Sequence, residues 1–185
     1  MKKFVSESWL VLTMGVVFAC LLAATQTSLS GRIVENQQRA LNQAILEVVP
    51  GLERTEELVL DGNRVFKCTD AAGNLLGWAV QASGAGFVDK ITLVAGLSVD
   101  GRLITGVKVI DNLETPGLGN KIEGAWAAQW QNRDATRPFS VTKTAAAVDR
   151  NEIAAITGAT YSSVYVTNIV NDVLTRIRPL LAEHR

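Results

Sequence analysis

The segment Thr157-Gly158-Ala159-Thr160-Tyr161-Ser162-Ser163 concentrates the chemistry this chain can offer. Two small residues let the backbone approach a ligand closely, and the Thr160 hydroxyl stands where a turn gives way to a helix. A helix starting there leaves the N–H groups of Tyr161, Ser162 and Ser163 without intrahelical acceptors, and the macrodipole adds partial positive charge. Such a place suits a phosphate. The same residues also fit a plain helix start capped by Ser162 or Ser163, and residue type alone leaves the two readings even. A second stretch, Glu114-Thr115-Pro116-Gly117-Leu118-Gly119, sets a carboxylate and a hydroxyl beside proline and two glycines. Taken by itself it reads as a Pro-Gly turn.

Other chemistries lack their residues. The sequence has one histidine, His184, and two cysteines, Cys20 and Cys68. A His/Cys zinc site and a self-contained four-thiolate iron–sulfur cluster are therefore out. A Ser–His–Asp triad would rest on His184, at the end of the sequence, where order is usually poor. Lys plus Arg and Asp plus Glu are 18 each, so there is no basic field to hold nucleic acid. Gly84-x-Gly86 and Gly117-x-Gly119 each lack the third glycine and the helix start of a dinucleotide fingerprint, which gives no NAD site. Trp78, Trp126 and Trp130 read as core aromatics, the last two at helical i,i+4 spacing. Cys68 reads as a small strand residue without a resolving thiol.

The elements that must position these residues follow from the pattern. The 24 residues from Ser8 to Gly31 carry no charge, and a helix of that length reaches across a bilayer core of about 30 Å. A cleaved signal peptide would begin similarly, but the apolar stretch exceeds the usual signal core, which favours a retained anchor. Lys2 and Lys3 before the run predict a cytoplasmic N-terminus and an outward-facing domain. The division expected is a tail and transmembrane anchor over 1–31, then one extracytoplasmic domain over 32–185. Val34, Leu41, Ile45 and Val48 continue at helical spacing up to Pro50-Gly51. Strands are predicted over 57–60, 64–69, 75–82, 91–99 and 103–110, with turns at Asp61-Gly62-Asn63, Ala72-Gly73-Asn74 and Asp100-Gly101. A short helix over 122–131 and a strand over 139–142 follow. The last helix shows an apolar stripe of Val166, Ile169, Val170, Val173, Leu174 and Ile177, with Thr167, Asn168, Asn171, Asp172 and Arg176 opposite, up to Pro179. The fold class is α+β: a twisted, mostly antiparallel sheet with packed helices.

The string Thr-Gly-Ala-Thr-x-Ser at 157–162 resembles the flavinylation motif of the FMN-binding domain family, and Glu114–Gly119 is similar to that family's ETPGLG loop. Gly84-Ala85-Gly86-Phe87, Ile91 and Asp100-Gly101 fall in the family's order. With a single anchor and a short outer domain, the chain resembles the family's branch formed by the G subunit of the Rnf electron-transport complex. It is also similar to the C subunit of the sodium-translocating NADH:quinone oxidoreductase. Where the family motif often has Asp, this chain has Ala154, with Glu152 nearby.

The resemblance implies FMN joined through its phosphate to Thr160, with Thr157, Gly158, Ala159, Tyr161, Ser162 and Ser163 around the attachment. It implies that Glu114 and Thr115 bond the polar edge of the flavin ring, Leu118 covers a ring face, and Pro116 and Gly117 let the loop come close. It also implies a separate flavin transferase that uses FAD, since a threonine hydroxyl is a poor nucleophile without a base. The function implied is electron carriage through FMN in a membrane-bound, ion-translocating ferredoxin:NAD+ oxidoreductase, alongside other membrane and redox subunits. The alternatives are a C-type subunit of a sodium-translocating NADH:quinone oxidoreductase, a stand-alone membrane-tethered flavoprotein, and a non-redox anchored scaffold.

Overall fold

The computed structural model describes Lys2–His184, with side chains from Ser8 onward; the expectations resting on the Lys2 and Lys3 side chains lie outside the described residues. The chain divides into two units, 1–40 and 41–185.

The described residues of the first unit are all helical, as part of helix α1 (Lys2–Val48). Trp9, Leu12, Val16, Phe18 and Leu22 are exposed, so this stretch is apolar all round and not on one stripe. That is the pattern of a helix solvated by hydrocarbon. Its threonine hydroxyls need no external partner. Thr13 donates to the Trp9 carbonyl oxygen at 2.7 Å, Thr25 to that of Leu21 at 2.8 Å and Thr27 to that of Ala23 at 2.7 Å. The helix is long and apolar enough to cross a membrane.

The second unit is built on a six-stranded antiparallel sheet in simple sequence order, β1 (Arg54–Leu60), β2 (Asn63–Thr69), β3 (Leu75–Ala85), β4 (Lys90–Ser98), β5 (Leu103–Asp111) and β6 (Arg133–Asp134). The first hairpin turns on Asp61 and Gly62 at φ 47° and 76°, the two left-handed residues of a tight turn matched to strand twist. Alternation decides which side chains go where. Ile91, Leu93, Ala95 and Leu97 of β4 point to one core and Val94 to another. Both faces are therefore covered, which is why β3 and β4 read as nearly continuous apolar runs.

On the second face lie Leu41, Ala44, Ile45 and Val48 from the end of α1, packed on Phe66, Cys68, Ala79 and Val94. A Cβ at Gly96 would come 2.7 Å from the Val48 carbonyl oxygen, so glycine there lets the helix end settle on the sheet. Thr105 fixes it, donating to that oxygen at 2.5 Å. Burial pushes the Cys68 thiol up to about 11, so it stays protonated and inert, as a core strand residue should.

The first face carries helix α2 (Thr160–Asp172) and its continuation, a π turn over Val173–Ile177 and a 3-10 segment over Arg178–His184. All six members of the expected apolar stripe are buried. The opposite face is less polar than expected. Thr167 is buried and donates to the Ser163 carbonyl oxygen. Asn171 reaches in to bond both backbone groups of Phe139, at 2.8 and 2.9 Å.

Three further differences have local causes. The short helix expected over 122–131 is two 3-10 segments, Gly119–Glu123 and Ala125–Trp130, because Gly124 leaves helical geometry at φ −93°, ψ −149°. Strand β7 (Ser140–Thr142) pairs in parallel with β8 (Glu152–Ala154), a strand outside those expected from the sequence. Three residues around the fully buried Ile153 are too few to show a period of two. Strand β6, with two residues, leaves still less of a pattern.

Candidate functional site

The expected helix start is where the motif placed it. Thr160 is the first residue of α2, preceded by Ala159 at φ −139°, and no side chain caps the helix. The plain capping reading therefore fails. Ser163 points inward, accepting from the Ile156 N–H at 3.0 Å and donating to the Ala159 carbonyl oxygen at 3.1 Å. Its own N–H bonds the Ala159 carbonyl oxygen at 3.2 Å, so the open donors of the first turn are those of Thr160, Tyr161 and Ser162, one residue earlier than expected. The Thr160 side chain is half-buried and makes no hydrogen bond among the described residues.

A cleft of about 150 Å³ opens at this helix end, lined by Phe87, Thr115, Leu118, Gly119 and the run Gly158–Ser162. The fold thus brings the two motifs, far apart in sequence, to one place. Gly158 has φ +81°, and a Cβ there would meet Leu118 Cδ2 at 3.1 Å. The positive φ calls for glycine, and the missing Cβ also spares the Leu118 side chain a tight contact. Among the described residues, no acidic, basic or imidazole side chain lines the cleft.

Not every expected residue reaches the cleft. Thr157 is exposed beside it, while Pro116 and Gly117 form the exposed loop tip, where the Gly117 N–H donates to Asn120 Oδ1 at 2.8 Å. Glu114 is buried beneath the cleft, at 4% exposure. Its Oε1 accepts from the N–H groups of Phe87 at 2.7 Å and Val88 at 3.2 Å, and its Oε2 accepts from the Ser162 hydroxyl at 2.5 Å. Glycines close around this carboxylate. A Cβ at Gly86 would lie 2.6 Å from Oε1, and one at Gly119 would lie 2.8 Å from Oε2. Its expected role therefore changes, because both oxygens are engaged and enclosed. Glu114 ties the β3–β4 hairpin, the 114–119 loop and the start of α2 together, and offers no free oxygen to a ligand ring.

Glu152 does not stand in for the acid that Ala154 replaces. Its carboxylate pairs with Arg150 at 3.1 Å and accepts from the Ala147 N–H at 3.0 Å. Ala154 itself is held through its backbone, which accepts from Trp126 Nε1 at 2.6 Å and donates to Gln129 Oε1 at 2.9 Å. Trp78 and Trp130 are fully buried, and none of the three tryptophans considered lines the cleft. Two lining residues escaped the sequence-based site, Phe87 and Gly119. Gly119 sat in the loop motif. Phe87 followed a Gly-x-Gly hairpin tip, which does not distinguish an exposed ring from a core one.

Comparison with known proteins agrees with this geometry. A family model described as an FMN-binding domain matches residues 86–175, a span that holds the hairpin tip, both motifs and α2. The G subunit of the Na(+)-translocating ferredoxin:NAD(+) oxidoreductase complex of Acetobacterium woodii is 32% identical over 191 residues, covering 91% of this chain and 89% of that protein. The G subunit of the ion-translocating oxidoreductase complex of Methanosarcina acetivorans is 33% identical over 172 residues, covering 87% of each. Among solved structures, NqrC of Shewanella oneidensis superimposes with a TM-score of 0.57 at 20% identity, covering 75% of this chain and 73% of that one. The C subunit of the Na(+)-translocating NADH-quinone reductase of Parabacteroides distasonis gives 0.62 at 16% identity, covering 78% and 92%. The structures establish a shared fold, and the sequence relatives establish more: this chain belongs to the family of G subunits of ion-translocating oxidoreductase complexes, with residues 86–175 of its second unit matching an FMN-binding domain.

Proposed function

We propose that this chain is the electron-carrying subunit of a membrane-bound, ion-translocating ferredoxin:NAD+ oxidoreductase, holding FMN as a phosphoester on Thr160. The observation that carries the reading is the Thr160 hydroxyl, unbonded in a cleft at the uncapped N-terminus of α2. The residues fit a phosphate. Three N–H donors and the positive end of a 13-residue helix face the negative charge. At about 150 Å³, below the roughly 300–1,000 Å³ of a typical cofactor pocket, the cleft has room for a phosphate and the start of its chain, and leaves a ring outside. Bound there, FMN supplies the redox chemistry. Thr160 supplies the anchor, and Leu118 supplies apolar cover beside it.

The cleft lining offers no base to Thr160, which supports attachment by a separate transferase. In that step the Thr160 oxygen would bond the FMN-side phosphorus of FAD, and AMP would leave with the displaced oxygen. The transferase would take up the hydroxyl proton. Mass mapping of protein from a flavinylating host tests the linkage. The flavin mass should lie on the peptide containing 157–163 and survive denaturation. Flavin released by acid precipitation would overturn it.

Two further expectations arise here. The uncharged helix and the family membership support an anchor, and the charges at Lys2 and Lys3 support a domain, from Arg32 onward, outside the cytoplasm. Protease added to sealed right-side-out vesicles should digest that domain and spare the anchor, whereas protection would reverse the orientation. Leu118, 43% exposed at the cleft, should tune the flavin without being needed to attach it. Leu118→Ala admits water and favours the charged, reduced ring, which should raise the potential. A shift of about 1.4 kcal/mol is about 30 mV for a two-electron couple, a size that one lost apolar side chain can produce. A redox titration reads this directly, and an unchanged potential would make the loop a plain turn.

A further inference from the structure

Phe87 and Tyr161 come from distant parts of the chain, the β3–β4 hairpin tip and the first turn of α2, yet their rings stack. The centroids are 5.7 Å apart with 16° between the planes. Both rings remain open to solvent, at 59% and 67% exposure, and both residues line the cleft that holds Thr160. A stacked pair normally gains by burial, and a pair left open beside a cleft marks a surface made for something else. Glu114 maintains the arrangement. It holds the backbone of Phe87 and Val88 with one oxygen and the hydroxyl of Ser162, the neighbour of Tyr161, with the other. A buried carboxylate thus fixes the distance between the hairpin and the helix start.

We infer that the Phe87–Tyr161 pair is the platform on which the flavin ring lies, with Glu114 as the residue that positions it. The inference rests on the proposed attachment at Thr160 and adds where the ring goes. The cleft is too small to take a three-ring system, so the ring lies outside it. The rest of the cleft wall offers Thr115, Gly119, Gly158, Ala159 and Ser162, which are small or polar, and the single side chain of Leu118. The aromatic pair is the broad flat apolar surface there, and Tyr161 directly follows the anchoring residue. At 5.7 Å the rings leave no room for a third between them, so the flavin stacks on the outer face of the pair. The tyrosine ring, an electron donor, then quenches flavin emission by contact.

The test uses the full-length protein from a flavinylating host and reads emission lifetime and anisotropy decay. In the unaltered protein the emission should be strongly quenched and the ring should tumble with the domain. Tyr161→Leu should lengthen the lifetime several-fold. Phe87→Leu, far in sequence from the attachment motif, should add a fast component to the anisotropy decay while flavin stays attached. Should Tyr161→Leu also impair attachment, Phe87→Leu still decides the matter. Attached flavin with lifetime and anisotropy unchanged in Phe87→Leu, and in Tyr161→Leu where that carries flavin, would overturn the inference and leave the exposed pair as a protein contact. Absence of any denaturation-resistant flavin in the unaltered protein would instead overturn the attachment on which it rests.

Discussion

Thr160→Ala is expected to abolish all flavin that survives denaturation while leaving the domain folded. The second half follows from the local structure. The Thr160 hydroxyl has no hydrogen bond to lose among the described residues, and the residue preceding the helix is Ala159, so Thr160 is not the cap. Alanine has the higher helix propensity, by up to about 0.7 kcal/mol, and a half-buried first-turn position leaves little cavity behind. The change in stability should therefore stay within about 0.5 kcal/mol. Thr160→Ser keeps the nucleophilic oxygen and should keep at least part of the flavin, which separates loss of the acceptor from a disturbed cleft. Fluorescence of the band after denaturing electrophoresis reads attachment, and a thermal melt reads folding. A fluorescent, folded Thr160→Ala protein would move the acceptor elsewhere, with exposed Thr157 the first position to examine. Ser162 is the poorer choice, since its hydroxyl already donates to Glu114.

What could be read from residues alone depended on whether the signal was local. The five long strands were legible because each alternates or runs apolar between turns that need Gly, Asn or Asp, and the observed ends differ by a few residues at most. The stripe on α2 was legible for the same reason, at its own period. Asn171 shows the limit. It sits at a polar position on the helix, and nothing nearby in sequence reveals that it will bond the backbone of Phe139, 32 residues earlier. Glu114 shows it again. A carboxylate in a loop with two glycines suggests a group offered to a ligand. The glycines that enclose it, Gly86 and Gly119, and the donors that satisfy it, on Phe87, Val88 and Ser162, come from three separate segments. Only their meeting turns the residue from a ligand contact into an internal tie.

That tie makes Glu114→Ala the substitution with the largest expected effect on the fold of the site. It would leave two backbone N–H groups and a buried hydroxyl without their acceptor, and it would open a void between Gly86 and Gly119. A buried donor left unpaired costs about 1–3 kcal/mol, and bonds to a charged acceptor sit at the upper end. Phe87 and Val88 lie in an exposed hairpin tip that water can partly re-solvate, so the sum should come to about 3 kcal/mol, with the midpoint of thermal unfolding lower by about 10 °C. Glu114→Gln keeps one carbonyl acceptor of nearly the same shape but turns an NH2 group towards a donor, so it should fall between alanine and the native residue. The damage should also be directional. Amide exchange at Phe87 and Val88 should accelerate far more than at Leu93 or Val80 in the middle of the sheet, since those ladder bonds do not involve Glu114. Flavin should still attach, because Thr160 and the 157–163 backbone are unchanged, but its surroundings should loosen as the hairpin drifts from α2. Uniform acceleration across the sheet would mean that the carboxylate supports the whole domain and not the site, and unchanged exchange at Phe87 and Val88 would mean that it ties nothing.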